Sequence, residues 1–224
     1  MTRRLIPVLM FGLIGAAILV ALGFWQIQRL HWKQAILARI EAKIAAAPVA
    51  LPAAPDPARD QYLPVAASGQ LTGQGLRVLT GIKFKGPGHL IVAALALPGG
   101  RRVMVDLGFR AEGGGAAVPE GAVTVTGNLV WPSEVDSFTP APDLAHHLWF
   151  ARDVPAMAKA LGTAPILIVA SHVAGAKTGT EVIPVSTEGV PNNHMQYAIT
   201  WFSLAFVWLG MTGLLLWRIT RRKD

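Results

Sequence analysis

The 224-residue sequence contains no cysteine. Without thiols the protein forms no disulfide, has no thiolate nucleophile, and lacks the ligands of cysteine zinc clusters and dithiol copper sites. The patterns of several enzyme classes are also missing, namely GxSxG, HExxH, the P-loop and GxGxxG. Asp106, Glu134 and Asp136 are single carboxylates with no partner visible in the sequence. We therefore expect a protein that is not an enzyme, with an anchored hydrolase as the weaker alternative.

Charged residues are also scarce, at 15% of the chain, whereas hydrophobic residues make up 52%. This balance is too apolar for an ordinary soluble domain and indicates membrane spans joined to a globular part. Two uncharged runs of 20 residues, 5–24 and 198–217, are long enough as helices to cross a bilayer core of about 30 Å. The first run leads into LGFWQ instead of a small-x-small cleavage site, which favours a retained anchor over a signal peptide.

Basic residues flank both runs on the side away from the central region. Arg3 and Arg4 precede the first run, and four more follow the second, namely Arg218, Arg221, Arg222 and Lys223. This bias predicts that both termini are cytoplasmic and that residues 25–196 are translocated across the membrane. The rest of the chain contains 14 of the 20 Lys and Arg residues and 12 of the 13 acidic residues. Its charge is therefore nearly balanced, and we expect no nucleic-acid interface.

The chain between the runs changes character twice, and these changes define the expected fold class. It is an α+β membrane protein, a two-helix transmembrane hairpin that carries a mostly antiparallel β domain with one or two helices. The expected segments are a cytoplasmic N-terminus (1–4), a first span (5–24), a helical extension (25–47), an extended Pro-rich linker (48–61), a periplasmic β-rich domain (62–185), a connector (186–197), a second span (198–217) and a basic cytoplasmic tail (218–224).

Local signals within the β-rich domain predict strands, a turn and a helix. Six short strands are expected, YLPVAASGQL, GLRVLTGIKF, HLIVAALAL, RRVMVDLGF, AVTVTGNLVW and PILIVASHV. Pro98-Gly99-Gly100 is typical of the turn of an antiparallel hairpin, and EGGGAAVPEG is typical of a flexible loop. Asp153 is a good N-cap for a helix that ends before Gly162.

Two aromatic motifs stand where the apolar runs meet the central region. In LGFWQIQRLHWK, residues 22–33, the spacing i, i+4, i+7 places Trp25, Arg29 and Trp32 on one helical face. In NNHMQYAITWF, residues 192–202, the spacing i, i+3, i+7 does the same for His194, Tyr197 and Trp201.

Each motif has a functional and a structural interpretation. Arg29 between two indoles is either an interfacial anchor or a contact for an anionic group such as a haem propionate. His194 is either a polar cap at the start of a membrane helix or an axial ligand of haem iron. From spacing alone the cap is favoured. His146 and His147 would point to opposite faces of a strand, and we expect them, with His31, His89 and His172, to be structural.

Five stretches together, in the same order along nearly the whole chain, resemble the Surfeit locus protein 1 family. They are LGFWQIQRLHWK, the YLPV segment with Gly69, VTVTGNLVWPSEVDSFTP, WFARDVPAMAKALG and PNNHMQYAITWF. One departure concerns the family's N-R-G-W stretch, where this chain has Asp106-Leu107-Gly108-Phe109. Gly108 is retained, so we expect a turn there, whereas any partner contact of the family's Arg is lost with Leu107.

The resemblance implies an assembly factor for haem-copper cytochrome oxidases that binds haem a and assists its insertion into the large catalytic subunit. Carried over, His194 is the axial ligand, Tyr197 and Trp201 pack against the porphyrin, and Trp25 and Arg29 complete the site. Gln26, Trp32 and Lys33 are assigned to a partner surface. The implied partners are the oxidase large subunit, the haem a synthesis enzyme and the lipid bilayer. The alternative is an anchored scaffold that stabilises assembly intermediates without haem.

Overall fold

The computed structural model describes residues 2–82, 85–115 and 117–221. The chain divides into a helical unit, residues 1–39 with 187–224, and a barrel unit, residues 40–186. Within the described ranges the elements are α1 (Thr2–Ile44), β1 (Val49–Ala50), α2 (Pro57–Asp60), β2 (Pro64–Ile82), β3 (Gly86–Ala96), β4 (Arg102–Ala111), β5 (Glu120–Leu129), β6 (Leu148–Trp149), α3 (Val154–Leu161), β7 (Leu167–Gly175) and α4 (His194–Arg221).

The helical unit is built from α1 and α4, and both helices are long and apolar enough to cross a membrane. They run antiparallel, because Gly23 packs against Phe202 while Gly12, earlier in the chain, packs against Trp208 and the residues beyond it. A Cβ atom on Gly23 would lie 2.6 Å from the Phe202 ring, so this glycine permits the close approach. The Trp208 indole donates a 2.9 Å hydrogen bond to the Gly12 carbonyl and satisfies a polar group within the apolar segment.

The barrel unit depends on the length of β2, which has 19 residues. Its first half pairs with β5 and its second half with β3. The pairs β3–β4, β4–β7 and β7–β5 complete a ring, and of these only β4–β7 is parallel. Among the described residues, five strands therefore close in the order β2-β3-β4-β7-β5, which is the Greek-key order of an OB-type barrel.

Two apolar clusters lie on the two faces of the barrel wall. The cluster inside the barrel takes alternate residues from all five strands, for example Val103, Val105 and Leu107 of β4. On the outer face, α3 covers Met104 and Leu167 with Met157, which is fully buried. This alternation follows from the two-residue period of a strand and makes the barrel wall apolar on both faces beneath α3.

Several local predictions are confirmed. Pro98-Gly99-Gly100 lies in the turn of the antiparallel β3–β4 hairpin, and Gly99 and Gly100 both have positive φ. Asp153 is the N-cap of α3, where its Oδ1 accepts a 3.0 Å hydrogen bond from the Ala156 N–H. Gly162 ends α3 in the left-handed conformation. The chain is also an α+β protein, although its sheet is mixed.

Other local predictions are wrong, and each error has a physical reason. The first two predicted strands are one continuous strand, β2, because the residues that separate them form a bulge, between Leu71 and Gly75, and do not end the strand. In the Pro-rich linker, residues 57–60 form the short helix α2, since Pro57 starts a helix that Asp56 caps. His146 and His147 lie in a turn and not in a strand.

Gly108 is not in a turn between strands but in the interior of β4. Leu90 pairs with Phe109 and Val92 with Asp106, so two residues of β4 face one residue of β3. This is a β-bulge, and Gly108 occupies it with φ +100°. The side chain at Leu107 is fully buried inside the barrel, and Phe109 is also buried.

An Asp153→Ala substitution is expected to destabilise the barrel unit by about 1 kcal/mol, because the Ala156 N–H loses its acceptor. Urea unfolding of the full chain in detergent, followed by tryptophan fluorescence, measures the change. Asp153→Asn is the matched control, since an asparagine side chain also accepts at an N-cap. Equal destabilisation by both substitutions would contradict the capping role.

Candidate functional site

The predicted ligand His194 is the first residue of α4, and the structure places it against α1. Its Nδ1 lies 2.7 Å from Oε1 of Gln26. Gln26, which the family resemblance assigns to a partner surface, is instead buried, at 9% exposure, within the face that α1 presents to α4. The two residues are 168 positions apart in the sequence, so only the pairing of the helices brings them together.

The Gln26 contact favours one tautomer of the His194 ring. A side-chain amide oxygen only accepts hydrogen bonds, so Nδ1 of the imidazole is the donor. In this neutral tautomer Nε2 carries a lone pair and is able to bind a metal ion. Hydrogen bonding at the second ring nitrogen is also the usual way in which proteins orient a metal-binding histidine.

Arg29 lies between the two tryptophans predicted to share its face. Its guanidinium carbon is 4.6 Å from the Trp32 ring centroid and 6.0 Å from that of Trp25. All three side chains are exposed. The rings therefore hold a cation whose N–H groups stay available to an anion.

Lys33 and Trp201 differ in their contacts. The Lys33 ammonium donates a hydrogen bond to the carbonyl of Pro191, three residues before His194, and so fastens the connector to α1. The indole of Trp201 is half-buried, and its Nε1–H is buried with no hydrogen-bond partner among the described residues. An indole N–H without an acceptor in this position is able to donate to a polar group of a ligand.

Tyr197 lies on the same side of the helix pair as Trp25 and Arg29. Each of these residues directly precedes a buried position, namely Ala198, Gln26 and Leu30 respectively. Each of the three side chains is therefore rotated about 100° away from the line of contact between the helices, and the direction of rotation along the chain is the same for all three. In an antiparallel pair the same sense of rotation leads to the same side, so one flank carries Tyr197, Trp25 and Arg29, all exposed.

Clusters of three or more His, Asp or Glu side chains able to hold a metal ion are absent from the described residues. Any metal bound at His194 would therefore need most of its ligands from elsewhere. A macrocycle that supplies the equatorial donors is the kind of ligand that leaves one axial position to a single imidazole.

The barrel unit contains a charged cluster that no sequence motif indicates. Arg152 bonds both Asp106 and Glu134, two carboxylates whose partner is not visible in the sequence. Its guanidinium nitrogens lie 3.3 Å from Asp106 Oδ2 and 2.5 and 3.0 Å from Glu134 Oε1. Asp106 also accepts a 3.0 Å hydrogen bond from the Gly108 N–H.

Electrostatics distinguish the two carboxylates of this cluster. Burial raises the pKa of Asp106 above its usual value, and the charge of Arg152 offsets only part of that effect. Burial also opposes ionisation of Glu134, but hydrogen bonds from Arg152 outweigh it and the pKa of Glu134 lies below its usual value. One cation thus bridges two acids, an arrangement typical of a structural ion-pair network. Its members Glu134 and Arg152 line a cleft together with Trp131 and Tyr62.

Two membrane-length helices and a mixed-sheet barrel define the chain as an α+β protein with a membrane anchor. The sequence matches the SURF1 family over residues 13–206. It therefore belongs to the SURF1 family, known for cytochrome oxidase assembly factors. This agrees with the family resemblance of the motifs.

The similarity to individual members is modest in identity and extends over most of the chain. The chain is 29% identical to a SURF1-like protein of Monosiga brevicollis, covering 97% of this chain and 85% of that protein. It is 28% identical to Surfeit locus protein 1 of Rattus norvegicus, covering 87% and 71%. It is also 28% identical to Surfeit locus protein 1 of Homo sapiens, covering 90% and 72%. The family name suggests an assembly factor rather than an enzyme.

Proposed function

We propose that this chain assists cytochrome oxidase assembly by binding haem a at His194 and presenting it to the large catalytic subunit. The observation that carries the proposal is the Gln26–His194 hydrogen bond, at 2.7 Å. It favours the tautomer that would leave Nε2 able to coordinate iron. A histidine that merely capped the helix would need no partner buried in α1.

The residues near His194 fit the haem group in polarity as well as in ligand type. Trp25, Trp32 and Tyr197 offer exposed aromatic surface at one end of the membrane-length segments, where an amphipathic macrocycle would lie partly in the bilayer. Arg29 supplies an exposed cation, held over the Trp32 ring and suited to a propionate. The buried Trp201 N–H supplies a further donor.

Each residue then has a distinct part in binding. His194 holds the iron through Nε2, Gln26 orients its ring, and Arg29 neutralises a propionate while Trp25 and Trp32 restrain its side chain. Bound haem a would bring redox chemistry that belongs to the oxidase, and the residues here serve only to hold and orient it. Lys33 keeps the connector near His194 through the Pro191 carbonyl.

The proposed membrane placement follows the positive-inside bias of the sequence. The helices span a bacterial inner membrane, with both termini in the cytoplasm and the barrel unit in the periplasm. The proposed partners are the large subunit of a haem-copper oxidase and the haem a synthesis enzyme, with the bilayer as the common medium.

A His194→Ala variant is expected to lose most of its haem, because the axial ligand is gone. The wild-type chain, purified in mild detergent from cells that also make haem a, is expected to show a Soret band, and the variant a band reduced more than tenfold relative to protein. His31→Ala is the matched control, since His31 lies on α1 and is exposed. Full haem occupancy in His194→Ala would disprove the ligand assignment.

A Gln26→Leu variant separates orientation from ligation. Loss of a hydrogen-bond partner at the second ring nitrogen typically lowers metal affinity roughly 10- to 100-fold, so haem titration of the purified variant should show weaker binding with an unchanged absorption maximum. The scaffold alternative predicts different results for the wild-type chain and for His194→Ala. Under it the wild-type chain carries no haem, and His194→Ala leaves oxidase assembly intact.

A further inference from the structure

A basic cleft of about 740 Å³ lies on the barrel unit, separate from the Arg152 cluster. Its cationic side chains come from three separate elements, Arg77 of β2, Arg102 of β4 and Lys159 of α3. His146 and His147 border it from the loop before β6. A cleft of this volume is in the size range of small-molecule sites.

Acids are absent from the residues that line this cleft. The ion pairs found among the described residues do not involve Arg77, Arg102 or Lys159. Two acids border it. Glu120 lies against Gly73 at its rim, and Asp143 is engaged by His146 at 2.7 Å.

Arg77 acts electrostatically on the neighbouring His89. Burial lowers the pKa of His89 and the charge of Arg77 lowers it further, against an opposing effect of Glu112. Cations that line one cleft repel one another, and a bound anion reduces that repulsion.

Several donors in the cleft are oriented by the fold and lack an anionic acceptor. Gln74 accepts a hydrogen bond from the Arg102 guanidinium and fixes its plane. Arg102 Nε is buried and has no partner among the described residues. One nitrogen of Arg77 donates to the His146 carbonyl at 3.0 Å, which orients the rest of that guanidinium.

We propose that this basic cleft binds a phosphate group, held by Arg77, Arg102 and Lys159. Three converging cations match the several acceptor oxygens and multiple charge of a phosphate better than the single charge of a carboxylate. Val118 and Leu161 give the cleft an apolar wall for whatever carries the phosphate. The group comes from either a phospholipid headgroup or a soluble phosphate compound, and binding does not involve haem.

The first arm of the test uses pyrophosphate as the probe, with the full chain in neutral detergent and isothermal titration calorimetry. Lys159→Gln and Arg102→Gln are each expected to weaken binding about tenfold, the effect of one lost charge-assisted hydrogen bond. Lys159 is exposed, so its substitution leaves the fold intact. Lys177→Gln, an exposed lysine of the same unit that does not line the cleft, is the matched control and is expected to bind as the wild type does.

The second arm distinguishes the source of the phosphate. Native mass spectrometry of the chain released from phosphatidylglycerol nanodiscs counts the lipids that stay bound. Fewer retained lipids in Lys159→Gln than in Lys177→Gln would support the cleft as a headgroup site, whereas an effect on pyrophosphate alone would support a soluble ligand. The proposal is overturned if neither probe binds the wild type, or if both cleft variants bind both probes as Lys177→Gln does.

Discussion

Replacement of Gly108 by alanine is expected to destabilise the barrel unit by about 4 kcal/mol, the sum of two penalties. The first is conformational. Gly108 has φ +100°, a region that residues with a Cβ atom rarely adopt, at a cost of roughly 1–3 kcal/mol.

The second penalty comes from the chain that covers the β4 bulge. A Cβ on Gly108 would lie 2.1 Å from the Glu181 carbonyl oxygen and 2.6 Å from the Val182 Cα. Phe109 and Glu181 exchange backbone hydrogen bonds at 2.7 and 2.8 Å, so the covering segment cannot retreat without breaking them. Overpacking of this kind costs roughly 1–3 kcal/mol.

Gly100 provides a matched control that separates the two penalties. It has φ +84°, but no atom lies within 4 Å of the position that an alanine Cβ would take, so Gly100→Ala introduces strain without a clash. Hydrogen exchange of β4 amides in the full chain measures both variants. Protection is expected to fall roughly a thousandfold for Gly108→Ala and by far less for Gly100→Ala, at about tenfold per 1.4 kcal/mol. Equal losses would show that the contact with Glu181 contributes nothing.

The parts of the fold that could be predicted are those set by short stretches of sequence. A 20-residue uncharged run predicts a span because hydrocarbon solvates only apolar side chains, and Asp153 predicts a helix start because its carboxylate accepts an orphan N–H. The Pro98-Gly99-Gly100 turn is equally local. None of these signals depends on which residues meet in three dimensions.

The closure of the barrel could not be predicted. It depends on β2 continuing without a break through the glycines near the boundary between the first two predicted strands. Gly73 has positive φ and Gly75 lies tightly against the Val92 carbonyl, so both glycines serve a bulge inside one strand. A glycine pair in a polar context is typical of both a turn and a bulge. Only the pairing partners β3 and β5 decide between them.

The shared helical faces of the candidate site could be predicted, but its contacts could not. Helical spacing brought Arg29 between Trp25 and Trp32, as the structure has it. The Gln26–His194 hydrogen bond spans 168 positions and the Asp106–Arg152 contact spans 46, and no local pattern encodes either distance. Residue roles in ligand binding stay predictions until the haem titrations are made.

Replacement of Arg152 by methionine is expected to destabilise the barrel unit by roughly 3–5 kcal/mol at neutral pH, because it leaves a buried charge without its counter-ion. Asp106 is only 2% exposed, and Arg152 is its one cationic partner among the described residues. Glu134, whose side chain is 37% exposed, keeps access to water and loses less.

The pH dependence of this variant tests the cause. Burial already raises the pKa of Asp106, and loss of Arg152 raises it further. The folded state then binds a proton that the unfolded state releases, so the stability of the variant increases as pH falls from 7 towards 5. Arg152→Met also removes side-chain hydrogen bonds that lower the pKa of Glu134, so an Asp106 substitution is needed to assign the pH dependence to Asp106.

A double variant, Asp106→Asn with Arg152→Met, removes the buried charge and keeps an acceptor for the Gly108 N–H, which bonds Asp106 Oδ1 at 3.0 Å. Most of the lost stability is expected to return, and its pH dependence between 5 and 7 to vanish. Urea unfolding of the full chain in detergent at three pH values measures all three proteins. If the double variant is as unstable as Arg152→Met, the arginine acts through packing of its stem against the barrel and not through its charge. If instead Arg152→Met is unstable equally at pH 5 and pH 7, Asp106 is not the group whose ionisation Arg152 stabilises.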